Sequence, residues 1–487
     1  MTSSSATRVP RSAVGLRSER GPVLLGVMLS TGLVAIDSTI LATAVPAVVG
    51  DLGGLSQFPW LFSIYVLAQA VSVPVYGKVA DLLGRKNVML VGVVLFVVGS
   101  LLCGLAWSMG SLIAFRAVQG LGAGAIQPIG MTIIGDIYSV AERATVQGYV
   151  ASVWAISSLV GPTLGGFFSE ALSWRWIFFV NLPLGAAAGW MLWRRFQESP
   201  RPVTARPRID WAGTLLLLLG TVALLVGLLE GGVLWSWGSP ASIGLFVGAA
   251  VLLVAFVVVE RNAAEPVLPL WVFRHRVVGG AMLVSLVVGV MLLGLTSYVP
   301  LYAQGVLGAG AIVAGFALAA MTLGWPVAAS TSGRLYLRLG FRATMLIGSV
   351  LAVAGSALLL TVGPDSSVWQ LAAACLVLGL GFGYVASPSL VAAQSAVPWH
   401  ERGVATSASI FARSVGSAVG VAAFGAVANT VVRDRLGGAP TDLESLPSGV
   451  LAPALGAVFV AAAAVSVTML LASLVMPREV REAGADD

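Results

Sequence analysis

The sequence predicts an all-α integral membrane protein in which fourteen spanning helices form two related six-helix bundles with two further helices inserted between them. Three observations predict it. Of 487 residues, 58% are apolar and only 10% charged, whereas soluble domains carry about a quarter charged residues; such a chain has too little polar surface to face water, so lipid is its solvent. Apolar runs long enough to cross a hydrocarbon core of about 30 Å, which takes roughly 20 helical residues, recur along the chain. The third observation is internal: the two ends of the sequence repeat one another.

A polar leader, 1–21, carries Arg8, Arg11, Arg17 and Arg20 and reads as a cytoplasmic tail. The run that follows is longer than a signal-peptide core and contains Asp37, so it reads as a retained first helix. Six runs at 22–48, 58–77, 87–106, 111–135, 146–169 and 174–193 make a first bundle, 22–195. A basic, proline-containing stretch, Glu198 to Arg208, opens a linker, 196–276, whose two runs at 209–229 and 239–259 are the inserted helices. The polar stretch from Glu260 to Arg276 closes it. Six more runs, 277–304, 311–332, 342–362, 368–393, 404–428 and 450–475, make a second bundle, 277–475, before a short tail, 476–487.

All but five of the 27 Lys and Arg residues fall in the tails and the even-numbered loops; the exceptions are Arg175, Arg433 and Arg435 in odd-numbered loops, and Arg116 and Arg413 inside helices. Because basic residues concentrate on the cytoplasmic side, both termini are expected there and the helix count is expected to be even. The net charge of +6 is spread over short clusters between apolar runs rather than along a stripe, which argues against a nucleic-acid partner. Cys103 and Cys375 lie inside apolar runs, with neither disulfide nor metal-ligand spacing.

The repeat is visible at a shift of 259 residues: Gly120, Gly122 and Gly124 map onto Gly379, Gly381 and Gly383, Glu142-Arg143 onto Glu401-Arg402, and Gly161 onto Gly420. Gly77 and Gly84 match Gly333 and Gly340 at a shift of 256. Parallel repeats of this kind place a cavity between the halves near the bilayer midplane, opened to alternate sides by rocking.

The segment between the second and third helices reads GKVADLLGRK, with Gly77, Asp81, Gly84, Arg85 and Lys86. Glycines allow close backbone approach, Asp81 can accept hydrogen bonds or face a positive helix N-terminus, and Arg85 and Lys86 read as cytoplasmic anchors. This resembles the signature loop of the major facilitator superfamily. In the second copy, GRLYLRLGFR, Leu337 stands where the first has Asp81, so a charge latch is expected on one side only. The fifth helix carries SSLVGPTLGG, with Gly161, Pro162, Gly165 and Gly166, similar to the antiporter motif of that superfamily apart from Ser157 in a glycine position. Small residues here also suit plain helix packing. With Asp37-Ser38-Thr39-Ile40, Pro46, the WRWIFFVNLPLG segment and the helix count, the whole chain resembles the 14-spanner drug:proton antiporter branch. That resemblance implies export of lipophilic small molecules or drugs by alternating access, powered by a proton gradient without a cofactor, from a monomer in the plasma or inner membrane.

Asp37 is the only acidic residue placed deep in the membrane, where an ionised side chain costs at least about 2.5 to 3.5 kcal/mol. It lies roughly 22 Å into the first helix, and Arg116 of the fourth helix is expected at matching depth. Desolvation favours the neutral acid and Arg116 the carboxylate, a balance that would let Asp37 take and release the coupling proton. The alternative is a static buried pair that fixes packing. Arg413 is left without an acid and reads as a charge in the cavity. With Asp37 and two arginines the region holds a net +1, which favours neutral, zwitterionic or anionic lipophiles at least as much as monovalent cations and disfavours dications. Gln127, Tyr149, Trp154, Tyr298, Tyr302 and Phe411 are expected pocket residues, though each is also explained by packing. Trp174 and Trp176 are expected as anchors at the outer interface.

An exporter of an endogenous lipid or secondary metabolite fits the sequence equally well. An enzyme does not: His275 and His400 fall in separate loops, with no HExxH zinc motif and no Walker A loop.

Overall fold

A computed structural model of the chain describes residues 14–53, 57, 60–198, 210–231, 234–263, 265–436 and 447–477, with the backbone alone at 42, 45, 46, 159, 162, 170, 311 and 312. Most of both expected tails and much of the basic linker stretch lie outside the described residues. The rest is almost wholly helical, and fourteen helices are long and apolar enough to cross a membrane.

The first block comprises α1 (Gly21–Leu52), α2 (Trp60–Leu83), α3 (Arg85–Gly104), α4 (Met109–Ile137), α5 (Val140–Ala171) and α6 (Asn181–Arg195), the last preceded by a single turn, Trp176–Phe179. The inserted pair is α7 (Trp211–Glu230) and α8 (Pro240–Glu260). The second block comprises α9 (Arg276–Gly305), α10 (Ala311–Leu339), α11 (Phe341–Leu360), α12 (Val368–Ser395), α13 (Arg402–Leu436) and α14 (Ser448–Val475). Helix starts follow capping chemistry: Ser108 with Ser111, and Ser139 with Glu142, form reciprocal capping boxes, and Asp210 caps α7.

The repeat seen in sequence is a repeat in packing. A Cβ at Gly120 or Gly124 would overlap α2, and one at Gly122 would overlap Phe96 and Gly92 of α3; Gly379 and Gly383 stand in the same way against α10, and Gly381 against Gly348 and Ala352 of α11. Each glycine triplet therefore lets α4 or α12 pack backbone to backbone on two neighbours at once. Gly84 (φ 107°) and Gly340 (φ 84°) take the left-handed region at equivalent chain reversals, which only glycine tolerates without strain.

Several helices outrun their apolar windows at the end of the bundle where α1 begins and α14 ends, called here the terminal face. Gly77–Leu83, expected in a loop, is the last part of α2, and Gly84 alone breaks the helix before α3. Hydropathy missed this because the added turns are stabilised by polar pairs rather than by lipid. Of the inserted helices α7 seats against α2 and α13 and α8 packs on α7: Leu225 packs with Leu67, Ala70, Val71 and Ala418, and Leu217 and Phe256 join the cluster of Val278, Ala281 and Ala408.

Two expected pocket residues are core residues instead. Tyr302 is 2% exposed, donates to the carbonyl of Val362 at 2.8 Å and lies 5.0 Å from the ring of Phe459. Tyr298 is buried in the same cluster. Both rings are wanted inside the second bundle because their hydroxyls find carbonyl partners there.

Candidate functional site

Two polar constellations stand out, one buried in the first bundle and one between the halves.

Asp37 and Arg116 are each 1% exposed and meet at 2.6 Å. The carboxylate of Asp37 is held from two other helices, α4 and α6. Arg116 Nη1 donates to Oδ2, Gln119 Nε2 donates to Oδ1 at 2.8 Å, and Asn181 Nδ2 reaches Oδ1 at 3.3 Å. Ser100 of α3 accepts from both amides, at 2.7 Å from Gln119 and 3.3 Å from Asn181. Arg116 has partners besides Asp37: Gln119 Oε1 at 2.6 Å, the Leu61 carbonyl at 3.2 Å and the face of Tyr65, 4.1 Å from ring centroid to guanidinium carbon. With the carboxyl neutralised, Arg116 would keep these hydrogen bonds and the Tyr65 face while losing its counter-charge. Gln119, Asn181 and Ser100 were missed in the sequence. Gln119 was legible, lying one turn from Arg116 on the same face of α4; Ser100 and Asn181 were not, since nothing in sequence brings α3 and α6 together.

Helix α5 braces the Asp37 helix directly. A Cβ at Gly161 would overlap Thr39 Oγ1, and one at Gly165 would overlap Thr43 Oγ1 and the Ile40 carbonyl, while Gly166 faces open space. Thr39 donates to the Ser157 carbonyl at 3.0 Å. The side chain of Pro162 lies outside the described residues.

At the terminal face the halves are joined. Asp81 accepts backbone hydrogen bonds from Gly403 at 3.1 Å and Val404 at 2.8 Å, at the N-terminus of α13, where free N–H groups and the helix dipole favour an anion. Arg85, expected as a cytoplasmic anchor, is fully buried: it pairs with Asp81 at 2.7 Å and Asp136 at 3.0 Å, donates to the Trp399 carbonyl at 2.7 Å and covers the Trp399 ring at 4.0 Å. Its three partners desolvate it together, which a loop residue could not achieve. Lys86 is half-buried and gives its backbone N–H to Glu198 at 3.4 Å. Arg402 reaches Asp136 at 3.4 Å and the Gly135 carbonyl at 3.0 Å. On the other flank Tyr336 donates to the Val140 carbonyl at 3.2 Å, and Gly333 abuts Ala144. A Cβ at Gly77 would overlap Ser407, so that glycine brings α2 onto α13. No counterpart of Asp81 is offered by Leu337, which is 43% exposed.

Of the remaining expected pocket residues, Gln127 is half-buried and accepts from Gln69 at 3.4 Å, Tyr149 and Trp154 are half-buried, and Phe411 packs beside the cluster around Ala408. Arg413 is half-buried, and among the described residues its guanidinium has neither a hydrogen bond nor an ion pair. Trp174 is buried and donates to Asp51 at 3.0 Å, so it is a packing residue, whereas Trp176 is exposed as expected of an anchor.

Residues 27–421 match the family model described as the Major Facilitator Superfamily. The chain belongs to that superfamily. As a major facilitator protein it is a membrane-spanning transporter rather than an enzyme. It is 36% identical to multidrug resistance protein 3 of Bacillus subtilis over 414 residues, covering 85% of this chain and 80% of that one. It is also 35% identical to the multidrug transporter protein MdtP of the same organism, covering 90% and 81%. The crystal structure of the human organic anion transporter MFSD10 shares the superfamily fold with a TM-score of 0.65 at 15% identity, covering 93% of this chain and 99% of that one.

Proposed function

We propose that this chain exports lipophilic small molecules, drugs among them, across the cell membrane in exchange for protons, with Asp37 as the group that takes the coupling proton. The terminal face is the cytoplasmic one, in keeping with its basic residues. The observation that carries the reading is the Asp37 site: a deep carboxyl on α1 gripped from α4 and the start of α6, whose cationic partner keeps three other contacts when the carboxyl is neutralised. Relatives named as multidrug transporters support the substrate class.

In this reading the cycle couples two events. Protonation of Asp37 breaks its pairing with Arg116 and frees α1 against α4 and α5. The halves then part at the terminal face, where the Asp81 contact with α13 is the joint that opens, and cargo is admitted from that side. Deprotonation restores the grip on Asp37 and the joined state.

Purified protein in proteoliposomes with an imposed proton gradient tests this, comparing wild type with Asp37→Asn. Loss of gradient-driven transport with retained counterflow exchange supports the assignment. Unchanged gradient-driven transport in the variant overturns it.

A further inference from the structure

Arg413 lies eleven residues into α13, roughly 16 Å from its start at the terminal face. Thr406, seven residues earlier and so on the same face of the helix, accepts from Gln394 of α12 at 3.0 Å, and Gln394 in turn donates to the Met131 carbonyl of α4 at 3.1 Å. Gly403 and Ser407, beside Thr406, abut Asp81 and Gly77 of α2, so this part of α13 borders the junction between the halves, and Arg413 stands about two turns beyond it. Gln127 stands one turn beyond Met131 on α4, half-buried, joined to Gln69 of α2. One cation and two amides thus stand beyond the closed joint, the cation on α13 and the amides on α4 and α2.

Among the described residues no acid pairs with that cation. Helices α9, α10, α11, α12 and α14 contain no Asp or Glu, and the one acid within α13 is Asp434, in its last turn. In the first block Asp37 is committed to Arg116, Gln119 and Asn181, and Asp81 and Asp136 are committed at the terminal face. A guanidinium in a low-dielectric site with no counter-charge is costly unless something else supplies one. Its planar fork matches a carboxylate with two parallel hydrogen bonds.

We propose that Arg413 is a substrate-binding residue and that the transporter takes amphiphiles carrying a single carboxylate, the acid group meeting Arg413 and the apolar body lying between the two halves, with Gln127 and Gln69 offering neutral hydrogen bonds. This deepens the export reading by naming a cargo class, and it rests on that reading only for the direction of transport.

The test separates binding from export. Protein in nanodiscs is titrated at neutral pH with a dansyl-labelled fatty acid and with its primary amide, which has the same shape and no charge. Wild type is expected to prefer the acid, and Arg413→Gln is expected to reduce the acid-to-amide preference by about 10- to 100-fold, the range of a charge-assisted hydrogen bond. Arg413→Lys, which keeps the charge without the fork, is expected between the two and serves in its place should the glutamine variant not fold. Absence of a preference in wild type, or a preference that survives Arg413→Gln, overturns the proposal. A preference that behaves as expected while gradient-driven export is missing overturns the export reading and leaves the binding site standing.

Discussion

Replacing Asp81 with alanine removes two hydrogen bonds that cross between the halves, to the backbone nitrogens of Gly403 at 3.1 Å and Val404 at 2.8 Å. Hydrogen bonds to a charged group contribute about 1.5 to 3 kcal/mol each, and the freed N–H groups of α13 regain part of this from water once the halves separate. Arg85 keeps Asp136 and the Trp399 carbonyl, so the first bundle is not left with an unpaired buried charge. A net shift of about 2 to 3 kcal/mol toward the parted state follows, a factor of roughly 30 to 150 in the equilibrium between the two. Spin labels at Leu83 and Leu339, exposed ends of α2 and α10 on opposite halves, report it by pulsed distance measurement, and the native thiols Cys103 and Cys375 are both buried and do not compete for label. The separation is expected to lengthen in Asp81→Ala and to lie between the two in Asp81→Asn. An unchanged distance distribution in both variants would refute the idea that this contact holds the terminal face shut.

Other expectations follow from neighbouring geometry. Gly161→Val and Gly165→Val are each expected to lower thermal stability by about 1 to 3 kcal/mol, as overpacking does, because both glycines abut α1, whereas Gly166→Ala, facing open space, is expected to change it little; thermal denaturation in detergent compares them. Gln119→Leu is expected to reduce gradient-driven transport at least tenfold, since hydrogen bonds to charge are worth about 1.5 kcal/mol or more, by removing the shorter of the two amide donors to Asp37 Oδ1 and an acceptor from Arg116; a proteoliposome assay reads it. Hydrogen bonds from Arg175 and Trp174 hold the Asp51 carboxyl below its usual range. Because the folded value is the lower one, the stabilisation is present above the ordinary carboxylate range and is lost as pH falls through the folded value. The difference in melting temperature between wild type and Asp51→Asn is therefore expected to be constant near neutrality and to close only in acid.

How much of this was legible follows from the kind of interaction concerned. Every spanning helix was readable, because the membrane imposes a long apolar run on each. The glycine triplets were readable as a repeat and turned out to be the places where backbones meet. Asp37 and Arg116 were readable as rare charges whose mutual neutralisation is close to obligatory. Helix ends at the terminal face were not, because Gly77–Leu83 is held by pairs such as Asp81 with Arg85 whose partners come from distant sequence. For the same reason Arg85 read as a cytoplasmic anchor: the desolvation it undergoes depends on Asp136 and Trp399, which only folding brings to it. Tyr298 and Tyr302 have the composition of pocket residues, and their sequence gives no clue to which side of α9 faces the bundle core.

The inserted helices leave the two flanks of the molecule unlike each other. On one, α7 lies against the α2 and α13 seam, with Leu225 set among Leu67, Val71 and Ala418. On the other, α5 and α10 meet without a cover, and Ile156, Phe316, Leu323 and Val327 stand exposed. A molecule dissolved in the surrounding hydrocarbon thus meets a walled side and a bare one. Of these two seams, the one between α5 and α10 faces the bilayer directly, and the glycine-rich helix that steadies Asp37 forms one side of it.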